Sequence, residues 1–140
     1  MAKLNPFIRF NDKKCREAMT FYKDCLGGEL NFMTAKDSPM EKDMSPDQLD
    51  LIMHSTLKKD GWTLMGSDMM RDKAVLGDNV GVSLECDSEE HIHAVFKKLA
   101  DGGEVFMAPD DAFWGSIFSV VTDKYGVEWM LNFQKTPVKK

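Results

Sequence analysis

Two short stretches, Gly27-Gly28-Glu29-Leu30 and Gly102-Gly103-Glu104-Val105, recur 75 positions apart, and each follows a segment with helical periodicity. Setting one on the other also places Phe21 on Phe96 and Asp12 on Asp87. Paired glycines after a helix are a common stop signal, so the dipeptide alone would be weak support for a repeat. The order of elements around it carries more weight, because both halves read strand, helix, strand, strand, strand.

In the first half, Leu4 to Phe10 reads as a strand. Cys15, Ala18, Met19, Tyr22 and Leu26 then recur at three- and four-residue steps, one face of a helix over 13–26 with Asp12 as N-cap and Gly27 as the residue beyond its end. A half-buried strand from Glu29 follows, with Leu30 and Phe32 on one face. Residues 36–50, with Pro39 and Pro46 and no strand pattern, read as a long loop of the kind that serves as a lid, with one helical turn at Ser45-Pro46-Asp47. Two apolar runs from Leu51 and from Trp62, separated by "KKDG", predict a hairpin, and Met69 to Asn79 a polar connector. In the second half, Val80 to Cys86 reads as a strand and Asp87-Ser88 as the cap of a helix with Ile92, Val95, Phe96 and Leu99 on its apolar face. Three strands complete it, "EVFMA", "SIFSVVTD" and "VEWMLNF", with "KYG" turning between the last two.

The 140 residues suit one domain, with module one at about 1–70 and module two at about 79–135. A net charge of -5 and only a short lysine cluster, Lys135, Lys139 and Lys140, give no reason to expect nucleic acid or a membrane as partner. No stretch approaches the ~18 apolar residues that cross a bilayer and the N-terminus has no signal-peptide core, so a cytoplasmic location is expected. Cys15, Cys25 and Cys86 form neither a framework nor a C-x-x-C pair and read as buried thiols. Eleven methionines fit adaptable packing or a soft pocket lining.

The segments "PFIRFND…CREAMTFYKDCLGGEL", "IMHSTL", "LMGSD" and "FWGSIFSVVTDKYGVEWMLN" resemble the PhnB-like branch of the vicinal oxygen chelate superfamily, which includes glyoxalase I, extradiol dioxygenases and bleomycin-resistance proteins. That branch is often labelled 3-demethylubiquinone methyltransferase-like. The resemblance covers nearly the whole chain and implies an α+β fold of two tandem βαβββ modules, each with a concave sheet facing a glyoxalase-like half-barrel cavity. It further implies a small-molecule ligand and a homodimer, since two modules make one cavity either within a chain or across a dimer. The superfamily's metal enzymes hold a divalent ion with His and Glu from the first and last strands of each module. Those places fall here on Asn5 or Phe7, on Met65, near Gly81 and on Met130, none of which is His or Glu, so no metal site is expected. S-adenosylmethionine is not expected either, because such folds need a glycine-rich turn from a strand into a helix, and here the paired glycines follow the helices.

Candidate ligand-binding residues are Phe7, His54, Trp62, Met65, Phe113, Trp114, Phe118 and Trp129, a mix that suits a flat or apolar small molecule. His54 faces cavity or solvent depending on strand register. His91 and His93, two apart on a helix, point to different faces and read as structural. Asp68 is a turn residue or a carboxylate at the cavity mouth, Asp123 a turn former, and Asp110 and Asp111 a loop pair beside Phe113 and Trp114. Two functions follow: a metal-free binding protein of the bleomycin-resistance type, or a lyase or isomerase using His54 with Asp68 or Asp110 as acid and base.

Overall fold

A computed structural model describes residues 2–68 and 73–135, Met40 by its backbone alone. The chain divides into two compact units, Met1–Val75 and Leu76–Lys140. Part of the expected connector (69–72) and the lysines at 139 and 140 lie outside the described residues.

Unit 1 runs β1 (Phe7–Arg9), α1 (Cys15–Leu26), β2 (Glu29–Thr34), β3 (Ile52–Lys59) and β4 (Trp62–Ser67). Its sheet has the order β1-β4-β3-β2, with β1 parallel to β4 and the other pairs antiparallel. Unit 2 repeats the pattern with β5 (Val82–Glu85), α2 (Glu89–Ala100), β6 (Glu104–Asp111), β7 (Ser116–Thr122) and β8 (Glu128–Gln134), in the order β5-β8-β7-β6. Each unit is therefore one βαβββ module, and the fold is α+β.

In each unit one sheet face takes the helix and the other stays open, as strand alternation requires. Leu57 and Leu64 pair across β3 and β4 and are 0% and 2% exposed beneath α1, whose buried stripe is Cys15, Ala18, Met19, Tyr22, Cys25 and Leu26. Val121, Trp129 and Leu131 line the equivalent layer beneath Ile92, Val95 and Leu99 of α2.

The repeated glycine pair has two jobs. The first glycine leaves the helix in the left-handed region, φ 77° at Gly27 and 74° at Gly102. The second crosses close to the neighbouring strand: a Cβ on Gly28 would lie 2.7 Å from the Lys58 carbonyl oxygen, and one on Gly103 2.3 Å from that of Thr122. These contacts are equivalent, since Glu29 pairs with Lys58 and Glu104 with Thr122.

Several local expectations change. The first strand is only Phe7–Arg9, although Met65 donates to the Pro6 carbonyl and Phe10 to that of Ser67, extending the pairing at both ends. Asp12 is not the N-cap of α1: it and Lys13 have φ of 56° and 58°, and the position before the helix is Lys14. The helix start is held instead by Asp68, whose Oδ1 accepts from the Cys15 N–H at 2.9 Å. The hairpin turn tightens to Asp60-Gly61, both at positive φ, and both lysines of "KKDG" belong to β3. Residues 36–50 are wound into 3-10 turns within Ala35–Asp37, Pro39–Asp43 and Pro46–Gln48, the last two starting at proline. They are tied down at Asp47, whose carbonyl accepts from Lys13 Nζ at 2.6 Å. In unit 2, β6 continues to Asp111, so the residues expected in a loop extend a strand with irregular register.

Candidate functional site

The open face of unit 1 gathers Phe7, His54 and Met65. Phe7 pairs with Met65 in the parallel β1/β4 register, Met65 with Thr56, and His54 with Met33, so these side chains share one face. The rings of Phe7 and His54 stack with centroids 6.2 Å apart at 28°, and Phe7 is 50% exposed. The register left open by sequence is thus settled, with His54 and Thr56 on the open face. Ile52 is 1% exposed despite its even spacing from both, because the β2/β3 register shifts between Met33 and Thr34.

Trp62 does not join them. It lies three residues from Met65 on the same strand, hence on the opposite face with Leu64, and it pairs with Lys59 beside the hairpin turn. There it borders a hollow shared with Leu4, Pro6, Lys58 and Thr63.

Asp68 lines a hollow of unit 1 with Phe10, Asn11, Lys13 and Leu51, but its oxygens are engaged by the backbone. Its side chain is 9% exposed, and while Oδ1 holds the start of α1, Oδ2 accepts from the Ile52 N–H at 2.9 Å. A buried carboxylate bound by two backbone donors is a structural clamp. Cys15 nearby places its Sγ 3.5 Å from Ser55 Oγ, and burial pushes its thiol up to about 12.

The open face of unit 2 gathers Phe113, Trp114 and Phe118. Trp114 packs edge-on against Phe113 at 4.9 Å and against Phe118 at 5.3 Å, with Phe113 98% and Trp114 45% exposed. Trp129 is not among them. Its ring is 1% exposed on the helix side, and its Nε1 donates to Asp123 Oδ2 at 2.8 Å. Asp123 also accepts from the Tyr125 and Val127 N–H groups, which bears out its reading as a turn former and adds a buried anchor for Trp129. Asp110 pairs with Phe118 on the open face, its Oδ1 accepting from the Asp111 N–H, while Asp111 is bound by Lys135 at 2.7 Å.

Polar residues that sequence reading did not single out complete this surface. Asn132, the register partner of both Glu85 and Phe118, donates from Nδ2 to the two Glu85 carboxylate oxygens at 3.3 and 3.0 Å. Its Oδ1 accepts from Trp114 Nε1 at 3.5 Å. Gln134 donates to the Trp114 carbonyl and accepts from Ser116 Oγ at 2.7 Å. The β8 alternation that located Met130 also points to Asn132 and Gln134, two and four residues further on.

The metal positions expected from the resemblance are adjacent in pairs, one pair within each unit. Phe7 faces Met65 in register, and a Cβ on Gly81 would touch the Met130 methyl at 2.8 Å. A phenyl ring, two thioethers and a glycine do not fit a hard, oxygen-chelating divalent ion. Among the described residues no three His, Cys, Asp or Glu side chains come together to hold one elsewhere. His91 is committed to its helix, its Nδ1 accepting from the Asp87 N–H while Ser88 Oγ accepts from the His91 N–H, and His93 is exposed.

Comparison with known proteins agrees with this geometry. The model of the glyoxalase/bleomycin resistance protein/dioxygenase superfamily matches residues 4–131. Protein YjdN of Escherichia coli is 28% identical over 94% of this chain and 95% of its own length. The crystal structure of protein PA1353 from Pseudomonas aeruginosa matches 96% of this chain and 100% of that one at 32% identity with a TM-score of 0.80. A Bacillus cereus PhnB protein, described as a putative 3-demethylubiquinone-9 3-methyltransferase, matches 94% of this chain and 99% of that one at 25% identity with a TM-score of 0.72. With both modules, their glycine register and their sheet order accounted for, the chain belongs to the glyoxalase/bleomycin resistance protein/dioxygenase superfamily and takes its place beside the PhnB-like proteins.

Proposed function

We propose that this protein binds a small molecule of flat or apolar body on its open sheet faces, without a metal ion or S-adenosylmethionine, as a cytoplasmic homodimer. The observation that carries the reading is the aromatic wall of Phe113, Trp114 and Phe118, with Phe113 and Trp114 exposed, beside a fixed amide and carboxylate. Large apolar rings next to a few ordered polar groups are the composition of ligand sites. The Phe7, His54 and Met65 cluster supplies a second such surface. The methyltransferase description attached to the Bacillus cereus relative finds no counterpart in the glycines, which end helices here. The enzyme alternative is weakened on its acid, because both oxygens of Asp68 are engaged by backbone donors. A cytoplasmic setting suits three buried cysteine thiols.

A thermal-shift screen over apolar and aromatic compounds tests the reading, since a ligand of the native state raises Tm by mass action. Several compounds are expected to raise it, and a wide panel that shifts nothing removes the proposal. Elemental analysis of the purified protein is expected to find no stoichiometric transition metal, and one ion per chain would favour the enzyme reading. Sedimentation is expected to give a dimer.

A further inference from the structure

We infer that the open face of unit 2 selects organic cations, a protonated amine on a flat apolar body; the inference rests on the reading that this face takes a ligand. Its indole and amide groups are already engaged. Trp114 gives its indole N–H to Asn132, Asn132 gives its amide N–H groups to Glu85, and Gln134 gives its own to the Trp114 carbonyl. What the cluster still offers is ring surface and acceptor capacity, because a carboxylate takes about four hydrogen bonds and Glu85 receives two from Asn132. An anion would meet the Glu85 carboxylate as a like charge, whereas an ammonium would find it an acceptor of fixed position.

The charges on this face point the same way. By strand register Glu85, Glu104, Asp110 and Glu128 lie on it with Phe118, Val120, Thr122, Met130 and Asn132. No Lys, Arg or His holds a position on this face along β5 to β8. The nearest lysine in sequence, Lys135, is paired with Asp111, whose register partner Ile117 is buried on the helix side. Trp114 and Phe118, edge-to-face at 5.3 Å, form a corner into which a flat body fits, with Glu85 reached through Asn132 at its side. An ammonium there gains from the carboxylate and from the ring faces together.

The test uses three naphthalene probes that differ only in the attached group: 1-naphthylmethylammonium, 1-naphthylmethanol and 1-naphthoate, each titrated into the full chain and followed by ligand-observed NMR. The ammonium is expected to bind roughly tenfold tighter than the alcohol, and the naphthoate more weakly than either. Glu85→Gln, a change at an exposed residue, is expected to bring the ammonium down to the alcohol's affinity and leave the alcohol unchanged. Trp114→Ala is expected to weaken both. Equal binding of all three probes, or tighter binding of the naphthoate, overturns the cation inference while leaving a small-molecule site in place. An ammonium preference that survives Glu85→Gln overturns the assignment to this face. If no probe binds, the inference fails, and the broader thermal-shift panel decides the binding reading separately.

Discussion

The helix of unit 1 begins on a carboxylate 53 positions away, Asp68, whereas the helix of unit 2 begins on a hydroxyl three positions away, Ser88. Both supply an acceptor to a first-turn N–H group that would otherwise be orphaned. The difference lies in what else depends on them: Asp68 also fixes the Ile52 N–H, tying α1 to the start of β3, while Ser88 serves its own turn. Unit 2 has its own buried carboxylate, Asp123, spent on a β-turn and on the Trp129 indole. One unit thus uses its buried aspartate to join a helix to a sheet, the other to close a hairpin around a large core ring. Leaving a buried donor unpaired costs about 1–3 kcal/mol, so Asp68→Ala, which strands two, is expected to lower urea stability by about 2–6 kcal/mol. Asp123→Ala strands three donors and is expected to cost at least as much, while Ser88→Ala should cost only about 1 kcal/mol. If Ser88→Ala proves as damaging as Asp68→Ala, the contrast between a long-range and a local helix start collapses.

The glycine pairs sharpen the same comparison at the far ends of the helices. Gly28 has φ 106° and a backbone carbonyl 2.7 Å from its would-be Cβ, so alanine there meets both conformational strain and a clash. Gly103 lies outside the left-handed region, yet its would-be Cβ falls 2.3 Å from the Thr122 carbonyl and 3.0 Å from the Asp123 Cα. Neither neighbour is a flexible side-chain tip, so the strands must part. Gly28→Ala and Gly103→Ala are each expected to cost about 1–3 kcal/mol in chemical denaturation, by strain of the overpacked kind. A neutral Gly103→Ala would show that β6 and β7 yield where β2 and β3 do not.

These contrasts also explain what could be read in advance. The order of elements in both modules was legible because helical and alternating patterns are local, and so was the Ser88 cap. Asp12 has the local look of a cap, but the acceptor that α1 uses comes from just beyond β4, and no local pattern announces a residue 53 positions away. Phe7, His54 and Met65 share the open face of unit 1, and Phe113, Trp114 and Phe118 that of unit 2, so residue type near these strands is enough to group them. Trp62 and Trp129 share that chemistry but fall on the helix side, a matter of one-residue parity that composition cannot resolve. Glu85 and Asn132 do not stand out by residue type until β5 and β8 are placed in register.

The buried thiols give the smallest and most delicate contrast. Burial pushes Cys15 up to about 12 from its ordinary value of 9.0, against a partly opposing hydrogen bond with Ser55. Burial does the same to Cys86, with the Glu85 and Asp87 carboxylates adding to it, again to about 12. A thiol whose pKa is raised by folding contributes fully below the unfolded value. The unfolded chain releases its proton from about pH 9 upward while the folded chain holds it, so stability falls as pH rises through the window from 9 to 12. Urea midpoints are therefore expected to drop between pH 9 and 11, and Cys15→Ala or Cys86→Ala should each flatten that slope relative to the parent. Access separates the two, since Cys15 is 0% exposed beneath the sheet of unit 1 and Cys86 7% exposed beyond the end of β5. A thiol reagent at pH 8 is expected to label Cys86 before Cys15, because the first needs only local opening and the second needs α1 to leave its sheet. Labelling in the reverse order would mean that the Asp68 clamp holds α1 less firmly than the Ser88 cap and the sheet edge hold unit 2.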